Sequence, residues 1–194
     1  MSVEVIVGLG NPGAKYRNTR HNIGFVLIEA LASASGASWR TSVRLECETS
    51  AIVFGDRRII LAKPLTYVNR SGRAVGAVLR YHKLTPENLL ALHDDITMET
   101  GRVKLTAGGN SGGHNGVEDL IARVGGGFAR YRLGVGAKPR REMDLADHVL
   151  SRFTEDENKL LTENMPYYMN HLRLIIDNGI ESAMNSINQR TAPK

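Results

Sequence analysis

The chain is short of the residues that announce special chemistry. It has one cysteine in 194 residues. A single thiol excludes an internal disulfide and thiolate-rich zinc sites, and it fits a reducing compartment. Cys47 stands mid-strand in LECETSAIVFG, away from any glycine-rich loop, so it reads as packing and not as a nucleophile. No run of 18 apolar residues occurs, which excludes a transmembrane helix. The N-terminus lacks a basic segment followed by an apolar one, so no secretory leader is expected. Internal repeats, low-complexity tracts and linkers are also missing, which leaves solenoids and disordered chains out. No His-x-x-x-His and no cysteine pair is present. Histidines and acids at 93–95 and 114 are the remaining candidates for a metal, without a recognisable ligand spacing.

One sign of charge is missing locally. The net charge is only +5, but residues 130–141 hold Arg130, Arg132, Lys138, Arg140 and Arg141 with no acid. Such a one-sided stretch suits a polyanionic partner, or else a solvated face.

The stretch Val3 to Gly24 organises what remains. A buried strand, Val3–Leu9, runs into a polar loop ending at His21 and Asn22. In open α/β sheets ligands sit outside the carboxyl ends of strands, where this loop lies. Gly8-x-Gly10-x-x-Gly13 matches a dinucleotide fingerprint. However, Pro12 and the run Ala14–Arg20 separate the glycines from the next helix. The acid expected at the end of a second strand is also missing, because Glu29 falls in mid-helix.

Further along, Ile23, Val26, Leu27, Ala30 and Leu31 form a helical stripe ending near Gly36. Residues 39–54 read as one long or two short strands, and 58–62 as the partner of an antiparallel pair stopped by Pro64. Val75, Val78, Leu79 and His82 mark a helix for which Ser71 is a cap candidate. The apolar run Leu89–Leu92 predicts a buried strand that delivers His93, Asp94 and Asp95 at its carboxyl end. A short strand over 102–105 precedes AGGNSGGHNG, with five glycines at 107–116. A helix over 117–124, a strand over 131–135 and a short helix over 144–150 follow. Residues 155 to about 188 are helical, with a kink or restart at Pro166. Alternating strands and helices predict a single-domain three-layer α/β/α fold with a mixed central sheet, spanning 1–194.

Polar residues cluster at these strand ends: Asn11, His21, Asn69, Asp94, His114 and Asn115. A histidine with a carboxylate makes a general base and its orienter. Asparagines offer uncharged donors and acceptors suited to a peptide or an oxyanion. His114 reads as a residue ordering the glycine loop rather than as the base. Asp95 alternates to the other side of the strand from Asp94. Gly109-Asn110-Ser111-Gly112-Gly113 matches the GxSxG nucleophile elbow, but its triad partners, Asp144 or Asp147 with His148, crowd into one short helix.

Four segments, GLGNPGAKYRNTRHNIG, TYVNRSG, LLALHDD and GGNSGGHNG, together resemble bacterial-type peptidyl-tRNA hydrolase along almost the whole chain. The resemblance implies an esterase that frees tRNA from peptides dropped by the ribosome. It would act as a cytoplasmic monomer without cofactor or metal. His21 corresponds to the family's base, Asp94 to its orienter, and Asn11, Asn69 and Asn115 to the asparagines that position peptide, ester and water. Tyr16 corresponds to the tyrosine near the tRNA 3′ end, and Arg132 to a basic residue of the 5′-phosphate clamp. Val68 replaces the family's usual methionine in the peptide groove. Thr106 replaces a residue that is often basic, where Lys104 is placed to substitute. Some plastid relatives bind RNA without catalysis, which keeps a non-enzymatic reading beside the hydrolase.

Overall fold

The computed structural model describes residues 2–140 and 142–189, so Arg141 of the basic stretch lies outside the described residues. Among the described residues, seven strands form one sheet: β1 (Val5–Gly8), β2 (Arg40–Ser42), β3 (Cys47–Phe54), β4 (Arg57–Pro64), β5 (Leu89–Asp95), β6 (Val103–Ala107) and β7 (Ala129–Gly134). Their order is β2-β3-β4-β1-β5-β7-β6. The centre is parallel, and β2, β3 and β6 run antiparallel to their neighbours. All seven residues of β5 are buried, which is why it reads as a continuous apolar run before its polar end.

Helices cover both faces, giving the three-layer α/β/α arrangement. On one side α1 (Ile23–Ala34) and α6 (Met165–Gln189) pack Leu27, Leu31, Tyr168, Leu172 and Ile176 against Ile6, Leu90, Leu92 and Tyr131. On the other, α2 (Ser71–His82) and α3 (Asn115–Val124) pack Val75, Val78, Val117 and Leu120 against Val5, Val7 and Ala91. Two shorter helices, α4 (Leu145–Val149) and α5 (Glu155–Glu163), lie between β7 and α6 in the chain. Among the described residues, no helix is long and apolar enough to cross a membrane.

Several local expectations shift. Arg70, not Ser71, precedes α2, and among the described residues the buried Ser71 hydroxyl has no hydrogen-bond partner. Helix α3 starts at Asn115, two residues early, because the His114 side chain caps it. Asp144 caps α4 instead of belonging to it. Cys47 opens β3, fully buried, with burial pushing its thiol up to about 12. The C-terminal helical region breaks at Asn164 and again at Gly179, whose φ of 76° no ordinary helix residue adopts, whereas Pro166 fits the first turn of α6.

Gly8, at the end of β1, and Gly24, in the first turn of α1, serve packing. A Cβ on Gly8 would overlap the carbonyl of Gly24, and one on Gly24 would overlap the backbone of Leu9 and Leu92. Helix α1 therefore lies with its backbone directly on β1. The turn before it, Arg20–Asn22, is set down at the carboxyl ends of β1 and β5.

At the far edge, Asn188 of α6 reaches the sheet. Its Oδ1 accepts from the Leu105 N–H at 2.9 Å, and its Nδ2 donates to the Leu105 carbonyl at 2.9 Å.

Candidate active site

A cleft of about 930 Å³ opens above the carboxyl ends of β1, β5 and β7. Asn11, His21, Val68, Asn69, Asp94, His114, Asn115 and Arg132 all line it. Two expected residues lie elsewhere. Tyr16 stands edge-on to Tyr67, with ring centres 6.3 Å apart, and only Tyr67 belongs to the cleft wall. Lys104 pairs with Arg132 in the β6–β7 register, but it is exposed and outside the cleft.

Asp94 is the centre of the polar cluster. Its Oδ1 accepts from His21 Nδ1 at 2.8 Å and from His114 Nε2 at 2.9 Å. His114 Nδ1 in turn accepts from the backbone N–H groups of Gly116 and Val117, capping α3. These bonds dictate both tautomers. His114 carries its proton on Nε2 and has no nitrogen left for chemistry. His21 carries its proton on Nδ1 and keeps Nε2 free as a lone pair. Burial alone would raise the Asp94 carboxyl, but the two histidines outweigh it and hold Asp94 far below the usual carboxylate range. For His21, burial pulls downward, while the Asp94 charge and hydrogen bond prevail and raise it above 6.5.

His21, Asp94 and His114 also bring three metal-ligating atoms within 4.8 Å of one another. A cation on His114 Nε2 would push the ring proton onto Nδ1, against two backbone donors. The hydrogen-bond pattern therefore suits a carboxylate shared by two imidazoles better than a metal centre. The other metal candidates face different tasks. His93 donates from Nδ1 to the Asp94 carbonyl, and burial, aided by His114, drives it down to about 3. Asp95 accepts from Thr97 and from Arg132.

The first loop places Asn11 through a residue that sequence reasoning missed. Asn22 Oδ1 accepts the Asn11 N–H at 2.8 Å, and its Nδ2 donates to the Asn11 carbonyl at 2.9 Å, as a strand partner would. Asn11 Oδ1 then accepts from Val68 N–H at 2.9 Å. With the oxygen committed, the Asn11 amide presents its NH₂ group to the cleft. Arg20 fastens the same loop. It forms a two-toothed pair with Glu157, both bonds 2.7 Å, and donates to the Val135 carbonyl at 2.8 Å.

The serine-hydrolase arrangement does not form. Ser111 Oγ meets the Gly113 N–H, Asp144 caps α4, and the buried His148 contacts the Gly136 carbonyl. Apolar cleft walls come from Ile96, Leu145, Val149 and Leu150, which the sequence did not single out.

The peptidyl-tRNA hydrolase family model matches residues 5–194. A peptidyl-tRNA hydrolase of Anaeromyxobacter dehalogenans is 44% identical over 190 residues, covering 97% of this chain and 98% of its own. One from Rickettsia peacockii is 38% identical over 181 residues, covering 93% and 99%. The crystal structure of peptidyl-tRNA hydrolase from Acinetobacter baumannii superposes with a TM-score of 0.91 at 33% identity, over 97% of this chain and 96% of that one. A shared-carboxylate cluster at the strand ends and a match along nearly the full chain lead to one conclusion: the chain belongs to the peptidyl-tRNA hydrolase family.

Proposed function

We propose that the protein hydrolyses the ester joining a peptide to the 3′ end of tRNA, with His21 as general base and Asp94 as its orienter. The observation that carries this reading is the free Nε2 of His21, left by the bond from Nδ1 to a buried, ionised Asp94. Nε2 takes a proton from a water as its oxygen attacks the ester carbonyl carbon. The tetrahedral intermediate then collapses and expels the ribose oxygen, which recovers the proton from His21. The products are a peptide with a free carboxylate and tRNA with a free hydroxyl. An ester needs no strong nucleophile, so one positioned water and one base suffice.

Asn11, Asn69 and Asn115 line the same cleft and suit a neutral amide, and a free ammonium would leave them mismatched. Peptidyl-tRNA is thereby preferred over aminoacyl-tRNA. Arg132, 22% exposed at its side chain, is positioned for a phosphate contact. The enzyme works as a cytoplasmic monomer that returns tRNA to translation.

The test uses N-acetylaminoacyl-tRNA, the same tRNA with an unblocked amino acid, and EDTA throughout. Release from the blocked substrate alone supports the reading. No release from either, with tight RNA binding, would replace it with a non-catalytic RNA-binding protein.

Two expectations follow from the same groups. The base works only when unprotonated, so kcat/KM falls as pH drops through its pKa. Because Asp94 raises His21, the acid limb is expected above pH 6.5. A limb below that value would remove Asp94's influence from the mechanism. Arg132→Gln keeps a donor for Asp95 but loses the charge. It is expected to raise KM and reduce the slope of log affinity against log salt by about 1. An unchanged slope would move the phosphate contact to another residue.

A further inference from the structure

The segment 108–113 links β6 to α3, and four of its six residues are glycines with positive φ: Gly108, Gly109, Gly112 and Gly113. So many glycines lose much conformational freedom when ordered, and the segment forms one wall of the cleft. Its own side chains hold it weakly. Asn110 and Ser111 reach the N–H groups of Gly112 and Gly113 at 3.3 Å each. The stronger anchor comes from β7. The Arg130 guanidinium donates to the Asn110 carbonyl at 2.5 Å and to the Gly108 carbonyl.

Arg130 is 6% exposed, and among the described residues no carboxylate is in ion-pairing contact with it. Its neighbour Arg132 takes Asp95 instead. A buried cation placed on two neutral carbonyls is costly unless those bonds are made, and both carbonyls belong to this loop.

We propose that Arg130 is a positioning residue: it fixes the glycine loop as the cleft wall leading into His114 and Asn115, and it acts on substrate through that loop rather than by touching phosphate. Gly109 gives an independent handle on the same contact. Its φ is +90°, and a Cβ there would sit 2.9 Å from Arg130 Nη2. Arg130→Lys attacks the anchor from the strand, and Gly109→Ala attacks it from the loop.

The test combines hydrogen exchange with kinetics on N-acetylaminoacyl-tRNA. Both variants are expected to speed amide exchange across 108–113 by about tenfold or more while the core strands stay protected. Both should raise KM several-fold with a smaller change in kcat, because no residue of 108–113 bonds His21 or Asp94 and the helix cap also holds His114. The acid limb and the salt slope should not move. The double variant should be far from additive, since both changes break one contact. Unchanged loop exchange in both variants overturns the proposal. A salt slope lower by about 1 for the neutral variant Arg130→Gln, with Gly109→Ala normal, also overturns it and makes Arg130 a direct phosphate ligand. If Arg130→Lys does not fold, Gly109→Ala alone decides, with unchanged loop exchange counting against the proposal. The kinetic consequences rest on the hydrolase reading. The exchange result does not, so failure of one is distinguishable from failure of the other.

Discussion

His21→Ala is expected to lower kcat by about 10² to 10⁴-fold, or roughly 3 to 5 kcal/mol of transition-state stabilisation, with KM nearly unchanged. The reasoning starts from atoms already committed. Asp94 Oδ1 bonds two imidazoles, and the helix cap consumes the second nitrogen of His114. Only His21 Nε2 remains as a basic nitrogen in the cluster. His93 cannot substitute, because burial drives it down to about 3 and its Nε2 is buried without a partner among the described residues. Truncation leaves Asp94 bonded to His114, so the fold should survive. Single-turnover release from N-acetylaminoacyl-tRNA measures the effect directly. Turnover within a few-fold of the parent would sink the general-base assignment.

Asp94→Asn is expected to produce the second large loss, and it should also carry a signature in pH. The amide oxygen can still accept from both histidines, so the geometry is largely retained while the charge is lost. Burial then acts on His21 without opposition and lowers its pKa. The base becomes weaker, and kcat should fall by about 10²-fold or more, with the acid limb of kcat/KM moving down in pH. A loss of rate with the limb unmoved would mean that Asp94 only shapes the site. Stability follows a related sign. The Asp94 carboxyl lies far below its unfolded value, so its contribution is present above about pH 4 and is lost as pH falls through the folded pKa.

The parts of this site legible in the sequence share a property: each is written in contiguous residues. The apolar run of β5 announces a buried strand, and the polar triplet at its end follows by chain continuity. The first loop is recognisable because its glycines and His21 lie within one segment. What stayed hidden depends on partners far apart in the chain. Arg20 and Glu157 are separated by 137 positions, and nothing local marks them as a pair. Asn22 looks like an ordinary residue before a helix, yet its side chain pairs with the backbone of Asn11. Arg130 reads as one more basic residue until its guanidinium is seen beneath the loop. The fingerprint-like glycines misdirect for the same reason: Gly8 is required by the backbone of Gly24, sixteen residues on, and Gly10 lies against the side chains of Asn22 and Phe25. Ser71 looks like a cap by type, but whether a hydroxyl faces a helix end or the interior depends on the preceding turn.

The Asn188 contact at the sheet edge has a consequence for a protein that handles loose peptides. Strand β6 ends beside the cleft, and an unpaired edge would be a template on which any extended chain could add as another strand, whatever its side chains. In the middle of β6 the outward N–H and C=O of Leu105 are both already taken by one side-chain amide. An incoming peptide finds no consecutive pair of free groups there. Asn188 thus takes the place of a partner strand at that residue, and an added strand would have to displace it to pair there.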